Sequence, residues 1–125
     1  MVHVVVPLLI AGAMPFLLTA IAKSRGFSRK ENHETRAWQS TLTGWQQRAH
    51  WAHQNSFEAF PLFAAAVLTA HVAHPDSALL PLLAWAFIVA RFAYAACYLA
   101  DLAALRSTVW FVGVGCCAGL FLSAL

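Results

Sequence analysis

The chain has 125 residues, 61% of them hydrophobic and 10% charged, and a mean hydropathy of +0.65. Soluble domains carry about a quarter of their residues as charged side chains, so a soluble globular domain is excluded and one membrane-embedded domain is expected. The formal charge of +3 is concentrated, with six of the eight Lys and Arg residues between Lys23 and Arg48. This is the pattern of a loop beside a membrane rather than a basic face for nucleic acid.

A first helix is expected over residues 3–23. Val4 to Ala22 is free of charge, and such a run spans about 30 Å of hydrocarbon at ~1.5 Å per residue. Pro7 and Pro15 each remove a backbone bond and are expected to bend it. Met1-Val-His-Val lacks the basic start of a cleaved signal peptide. The charge follows the run instead, so the positive-inside rule puts the N-terminus outside and residues 24–44 in the cytoplasm as a long polar loop.

A second helix is expected over residues 45–72, polar in its inner third and apolar beyond, with a kink at Pro61. His71-Val-Ala-His-Pro-Asp-Ser77 makes an outer turn, where Pro75 stops the helix and Asp76 or Ser77 can cap the next. The third helix, 78–101, is apolar except for Arg91, Tyr94 and Tyr98. Asp101 and Arg106 bracket an inner loop before the fourth helix, 107–125. Gly115-x-x-x-Gly119 in that helix suits close packing, a weak signal in membranes. The fold class is all-α, a four-helix transmembrane bundle with both termini outside.

The second helix carries the anomaly. At 100° per residue Arg48, Trp51, Asn55, Glu58 and Leu62 fall within about 80° of one another. Ionisable groups in hydrocarbon are costly and mark bundle interiors or wet cavities. The third helix repeats the pattern, with Arg91, Tyr94, Tyr98 and Asp101 on one stripe. Counted from the inner surface, Asn55 and Arg91 both lie about 15 Å deep, so Arg91 can meet Asn55 or Glu58, within one subunit or across an interface. Arg91 and Glu58 alone could simply neutralise each other and fix helix register. A pair needs two residues, however, and Arg48, Asn55, Tyr94, Tyr98 and Arg106 gather at the same end. Together they offer cationic forks for carboxylates, an anion for an amine and neutral donors besides. A small zwitterion with more than one carboxylate fits that set.

Other residue types point elsewhere. His50 and His53 face away from the Glu58 stripe and lack a third ligand, so no metal is expected. Cys97, Cys116 and Cys117 show neither CxxC nor metal spacing and are expected to be buried thiols. Trp38, Trp45 and Trp110 stand near the inner boundary, where amphipathic rings settle. No Gly-rich nucleotide loop, HExxH or Ser/His/Asp order occurs, so a nucleophile has to arrive with a ligand.

The run Arg48 followed by Asn55-Ser-Phe-Glu58-Ala-Phe-Pro61-Leu-Phe63 resembles the second-helix signature of the MAPEG family, membrane-associated proteins in eicosanoid and glutathione metabolism. The resemblance continues through Arg91-x-x-Tyr94-x-x-x-Tyr98 and Arg106-Ser107 and covers nearly the whole chain. It implies a homotrimer in a membrane, here a bacterial inner membrane, with glutathione as co-substrate between subunits and a lipophilic small molecule arriving from the lipids. Carried over by position, Asn55 and Glu58 would hold the peptide backbone and amine of glutathione. Arg91, Tyr94 and Tyr98 would hold its carboxylates and polar edges, with Arg48 beside them. Arg106 would stabilise the thiolate and is the catalytic candidate. Two positions depart from the pattern. Trp51 stands where catalytic members often have a further arginine, and Ala59 where many have a tyrosine. Two function classes follow: a glutathione-dependent transferase or peroxidase, and a non-catalytic membrane scaffold that binds lipid or a small anion.

Overall fold

The computed structural model describes residues 1–125 and contains six helices and no strand. In chain order they are α1 (Val2–Lys23), α2 (Arg29–His33), α3 (Thr35–Ser40), α4 (Gly44–Ala73), α5 (Leu79–Leu99) and α6 (Ala103–Leu122). α1, α4, α5 and α6 are each long and apolar enough to cross a membrane. The fold is an all-α four-helix transmembrane bundle.

Small residues let the helices approach. Ala49, Ala52, Ser56, Ala66 and Ala70 are the buried small residues of α4, and they leave room for α1 on one side and α5 on the other. Between Ser56 and Ala66, Phe63 of α4 lies flat on Phe87 of α5, with ring centroids 4.0 Å apart and planes 2° from parallel. Val67, Ala84, Ile88 and Leu120 close the core around that pair. In α6 the close approach is made by Gly119, where an added Cβ would stand 3.0 Å from Leu83 Cδ1; Gly115 has nothing within 4 Å. The Gly-x-x-x-Gly spacing therefore has one working member within the protomer.

The prolines do not end their helices. α1 runs unbroken through Pro7 and Pro15, and α4 through Pro61. His53 Nδ1 bonds the carbonyl of Pro15 at 2.7 Å. A carbonyl only accepts, so Nδ1 carries the proton. His53 stacks on His50 on one side and meets Phe57 edge-on on the other. Phe57 in turn meets Phe16 of α1. His53 and Phe57 thus fasten α4 to α1, on the side away from the polar stripe.

Residues 24–44, expected as a polar loop, contain α2 and α3. The signal was present in the sequence: Ser28-x-x-Glu31 is a capping-box pattern. The Glu31 carboxylate accepts from the backbone N–H of Ser28 at 2.9 Å and from its hydroxyl, while the Ser28 oxygen caps the start of α2. Those bonds, the Ser28 hydroxyl first, hold the Glu31 carboxyl below its ordinary range. A carboxylate with a depressed value contributes order that is complete above its unfolded value, about 4.3. That order is lost as pH falls through the lower folded value. Amide hydrogen exchange across residues 24–41 is therefore expected to accelerate below about pH 4. In Glu31→Ala, which has no side-chain acceptor for the Ser28 N–H, it is expected to be fast already at neutral pH; equal exchange in the two proteins would show that the box does not order the segment.

The inner connection between α5 and α6 is shorter than the sequence suggests, because α5 ends at Leu99 and α6 starts at Ala103. Asp101 adopts φ +62°, and the N–H groups of Asp101 and Leu102 return to the carbonyls of Tyr98 and Cys97. That is a Schellman termination, with aspartate where glycine is usual. It places Arg106 inside the first turn of α6 rather than ahead of the helix. At the other end neither Asp76 nor Ser77 is the N-cap of α5: that position is Ala78, which offers no side-chain cap, and the Ser77 hydroxyl accepts from the N–H of Leu79 at 3.3 Å in the turn just ahead of the helix.

Candidate functional site

Three helices build the site. α4 supplies Trp51, Gln54, Asn55 and Glu58; α5 supplies Tyr94 and Tyr98; α6 supplies Arg106. These seven line one open cavity of about 410 Å³, within the ~300–1,000 Å³ typical of small-molecule sites. The spacing of three and four residues along α4 and α5 turns each set to one side of its helix. The early start of α6 brings Arg106 level with Tyr98.

The cations and rings alternate. The Arg91 guanidinium lies 4.4 Å from the Tyr94 ring centroid, Tyr94 meets Tyr98 edge-on at 5.5 Å, and Arg106 lies 4.3 Å over Tyr98. Trp51 borders the same ring at 6.3 Å. A guanidinium over a ring face is attracted by its quadrupole, so both arginines are oriented by aromatic planes and keep N–H groups free for a ligand. On the opposite wall Asn55 Nδ2 donates to Glu58 Oε2 at 3.3 Å. Asn55 Oδ1 is buried with no partner. An unfilled buried acceptor is costly and calls for a donor from outside the chain, as an amide or amine N–H would provide.

A second cavity of about 140 Å³ adjoins the first through the shared walls of Asn55 and Glu58. Ala59, Leu62, Phe87, Trp110, Gly113, Val114 and Cys117 make it largely apolar, and Arg91 faces it. Arg91 is 5% exposed, and its guanidinium donates to Ser56 Oγ at 3.2 Å. The expected meeting of Arg91 with Asn55 or Glu58 takes the form of a shared cavity, with no ion pair between Arg91 and Glu58 inside the protomer. The chain has one ion pair, Arg48 to Asp101 at 3.9 Å.

That pair separates Arg48 from the rest. Its Nε donates to the Leu99 carbonyl at 3.3 Å, and it lines neither cavity. Of the seven residues singled out by the sequence, Asn55, Glu58, Tyr94, Tyr98 and Arg106 share the polar cavity. Arg91 joins Asn55 and Glu58 in the apolar one, and Arg48 ties α4 to the end of α5. Ser56 was missed, although a serine beside a buried arginine's helix is a readable donor-acceptor candidate. The apolar lining on α6 left no signal, because any membrane helix offers such residues. All three cysteines are free and buried, and no group of His, Cys, Asp and Glu is placed to hold a metal ion.

Comparison with curated proteins and with solved structures finds no match. The sequence model of the MAPEG family does match, from residue 4 to residue 125. With four membrane-crossing helices and that match over essentially its whole length, the chain is an integral membrane protein that belongs to the MAPEG family.

Proposed function

We propose that this protein is a glutathione-dependent enzyme, a transferase or peroxidase acting on lipophilic electrophiles, with Arg106 stabilising the glutathione thiolate. The observation that carries the reading is the polar cavity, where Asn55, Glu58, Tyr94, Tyr98 and Arg106 converge. Its donor set fits glutathione. The Glu58 carboxylate suits the amine, the partnerless Asn55 Oδ1 suits a peptide N–H, and Arg106 offers a guanidinium to the thiol. A free thiol has a pKa of about 8.5, and a guanidinium in a site of low dielectric favours the thiolate, the nucleophilic form. The apolar cavity next to it suits the ring or chain of a lipophilic partner.

In this reading the chain works as a homotrimer, and a neighbouring subunit completes the open side of the cavity. The membrane is a bacterial inner membrane, with the basic segment on the cytoplasmic side and both termini outside. Glutathione added to the purified protein in detergent is expected to raise its melting temperature. Calorimetry is expected to show binding in the millimolar range or tighter, with new ultraviolet absorbance from the thiolate. No binding at millimolar glutathione would overturn the reading.

Trp51 and Ala59 favour a second reading, a non-catalytic scaffold that holds a lipid or another small anion. Trp51 fills with an indole the place of a possible second cation beside Tyr98. Ala59 offers no hydroxyl to the apolar cavity it lines. Under this reading Arg106→Ala leaves ligand binding and stability unchanged, whereas Glu58→Ala breaks the oligomer. Intact Glu58→Ala trimers that have lost glutathione binding would exclude it.

A further inference from the structure

The surplus charge of the chain sits in one place. Between Lys23 and Thr41 there are five cations, Lys23, Arg25, Arg29, Lys30 and Arg36, against two carboxylates, Glu31 and Glu34. Elsewhere Arg48, Arg91 and Arg106 balance Glu58, Asp76 and Asp101. Five less two is three, so this segment holds the whole formal charge of +3. None of its cations is in an ion pair, since the chain's one pair joins Arg48 to Asp101. Arg25, Arg29, Lys30 and Arg36 are exposed, and Glu31 is occupied by the bonds to Ser28.

The segment is also fixed against the bundle. Gln46 Nε2 donates to the carbonyls of Ala22 at 2.8 Å and Arg25 at 2.7 Å, closing the end of α1 onto α4. Phe27 meets Trp38 edge-on at 5.0 Å, and Lys23 Nζ lies 4.5 Å over the Phe27 ring. Trp38 packs on Ala22, Leu42 and Ala49. Amphipathic rings at the ends of membrane helices settle at headgroup depth. Trp38 and Phe27 stand where α1 ends and α4 begins, so the cations around them are held at that depth.

We propose that α2, α3 and their flanking residues form a binding surface for the headgroups of anionic phospholipids in the adjoining leaflet. Guanidinium and ammonium groups match phosphodiester oxygens with charge-assisted bonds. Clusters of about four to eight Lys and Arg beside a membrane helix are drawn to anionic lipid. A disordered basic tail holds such lipids loosely. Here the capping box and the Gln46 bonds fix the backbone that carries the cations. The proposal rests on charge placement and does not depend on glutathione binding.

The test uses the full chain in nanodiscs of equal parts phosphatidylglycerol and phosphatidylcholine, with retained lipids counted by native mass spectrometry. Phosphatidylglycerol is expected to be enriched on the order of tenfold at low salt. The enrichment is expected to fall towards parity at about 1 M salt, where the screening length drops to about 3 Å. The variant Arg25→Gln, Arg29→Gln, Lys30→Gln, Arg36→Gln is expected to retain the two lipids equally, and inorganic phosphate is expected not to displace either. Equal retention by the unsubstituted chain would overturn the proposal, as would enrichment that ignores salt or survives the four substitutions. Displacement by phosphate would overturn it in favour of a free-anion site. Should the fourfold variant not fold, the salt series on the unsubstituted chain decides.

Discussion

Arg106→Leu is expected to lower glutathione-dependent turnover on the order of 100-fold, the usual cost of removing one preorganised donor from a developing anion. The bundle should survive the change. Leucine is a good helix former, and Arg106 is partly exposed on the first turn of α6, where its backbone N–H bonds the Leu102 carbonyl at 2.9 Å whatever the side chain. The loss is expected in kcat and in the thiolate absorbance of bound glutathione, measured in nanodiscs with a nitroarene electrophile. Arg106→Lys is expected to fall between the two, because an ammonium keeps the charge but loses the planar face that lies over Tyr98. A variant with undiminished kcat would remove Arg106 from the chemistry.

Phe63→Ala is expected to have the largest effect on stability, a loss of about 3 kcal/mol or more. Phe63 is fully buried, its ring flat against Phe87 at 4.0 Å. In a bilayer the helices gain little from leaving lipid, so packing itself holds them together. Removing the ring leaves a void between α4 and α5 that Val67, Ala66 and Ile88 are too constrained to fill. Thermal unfolding in detergent is the measurement, with Phe63→Leu as a milder control at less than about 1.5 kcal/mol. Because Phe87 also lines the apolar cavity, the alanine variant should loosen ligand binding as well. An unchanged melting temperature would show that the α4–α5 pair is not the centre of the core.

Much of this was legible in the residues. Hydropathy marks the four spans because a bilayer tolerates few other patterns. The i, i+3, i+7 placement of Arg91, Tyr94 and Tyr98 follows from helical period alone. What escaped was local hydrogen-bond chemistry and competition between partners. Ser28 and Glu31 carried a capping signal that the polarity of the segment obscured. Arg48 shares a stripe with Asn55 and Glu58, but periodicity gives direction and not partner. Asp101, arriving through the turn after α5, claims it. The start of α6 at Ala103 depends on the left-handed turn at Asp101, which a non-glycine residue rarely adopts.

The link from Arg48 to Asp101 and the Leu99 carbonyl also has a mechanical side. It pins the lower end of α5 at Leu99, and Arg91 stands eight residues up the same rod, about 12 Å away. At that lever arm a tilt of about 5° displaces the guanidinium by about 1 Å, enough to cost on the order of 100-fold where geometry matters. A binding defect in an Arg48 variant would then report a shifted fulcrum, not a lost contact.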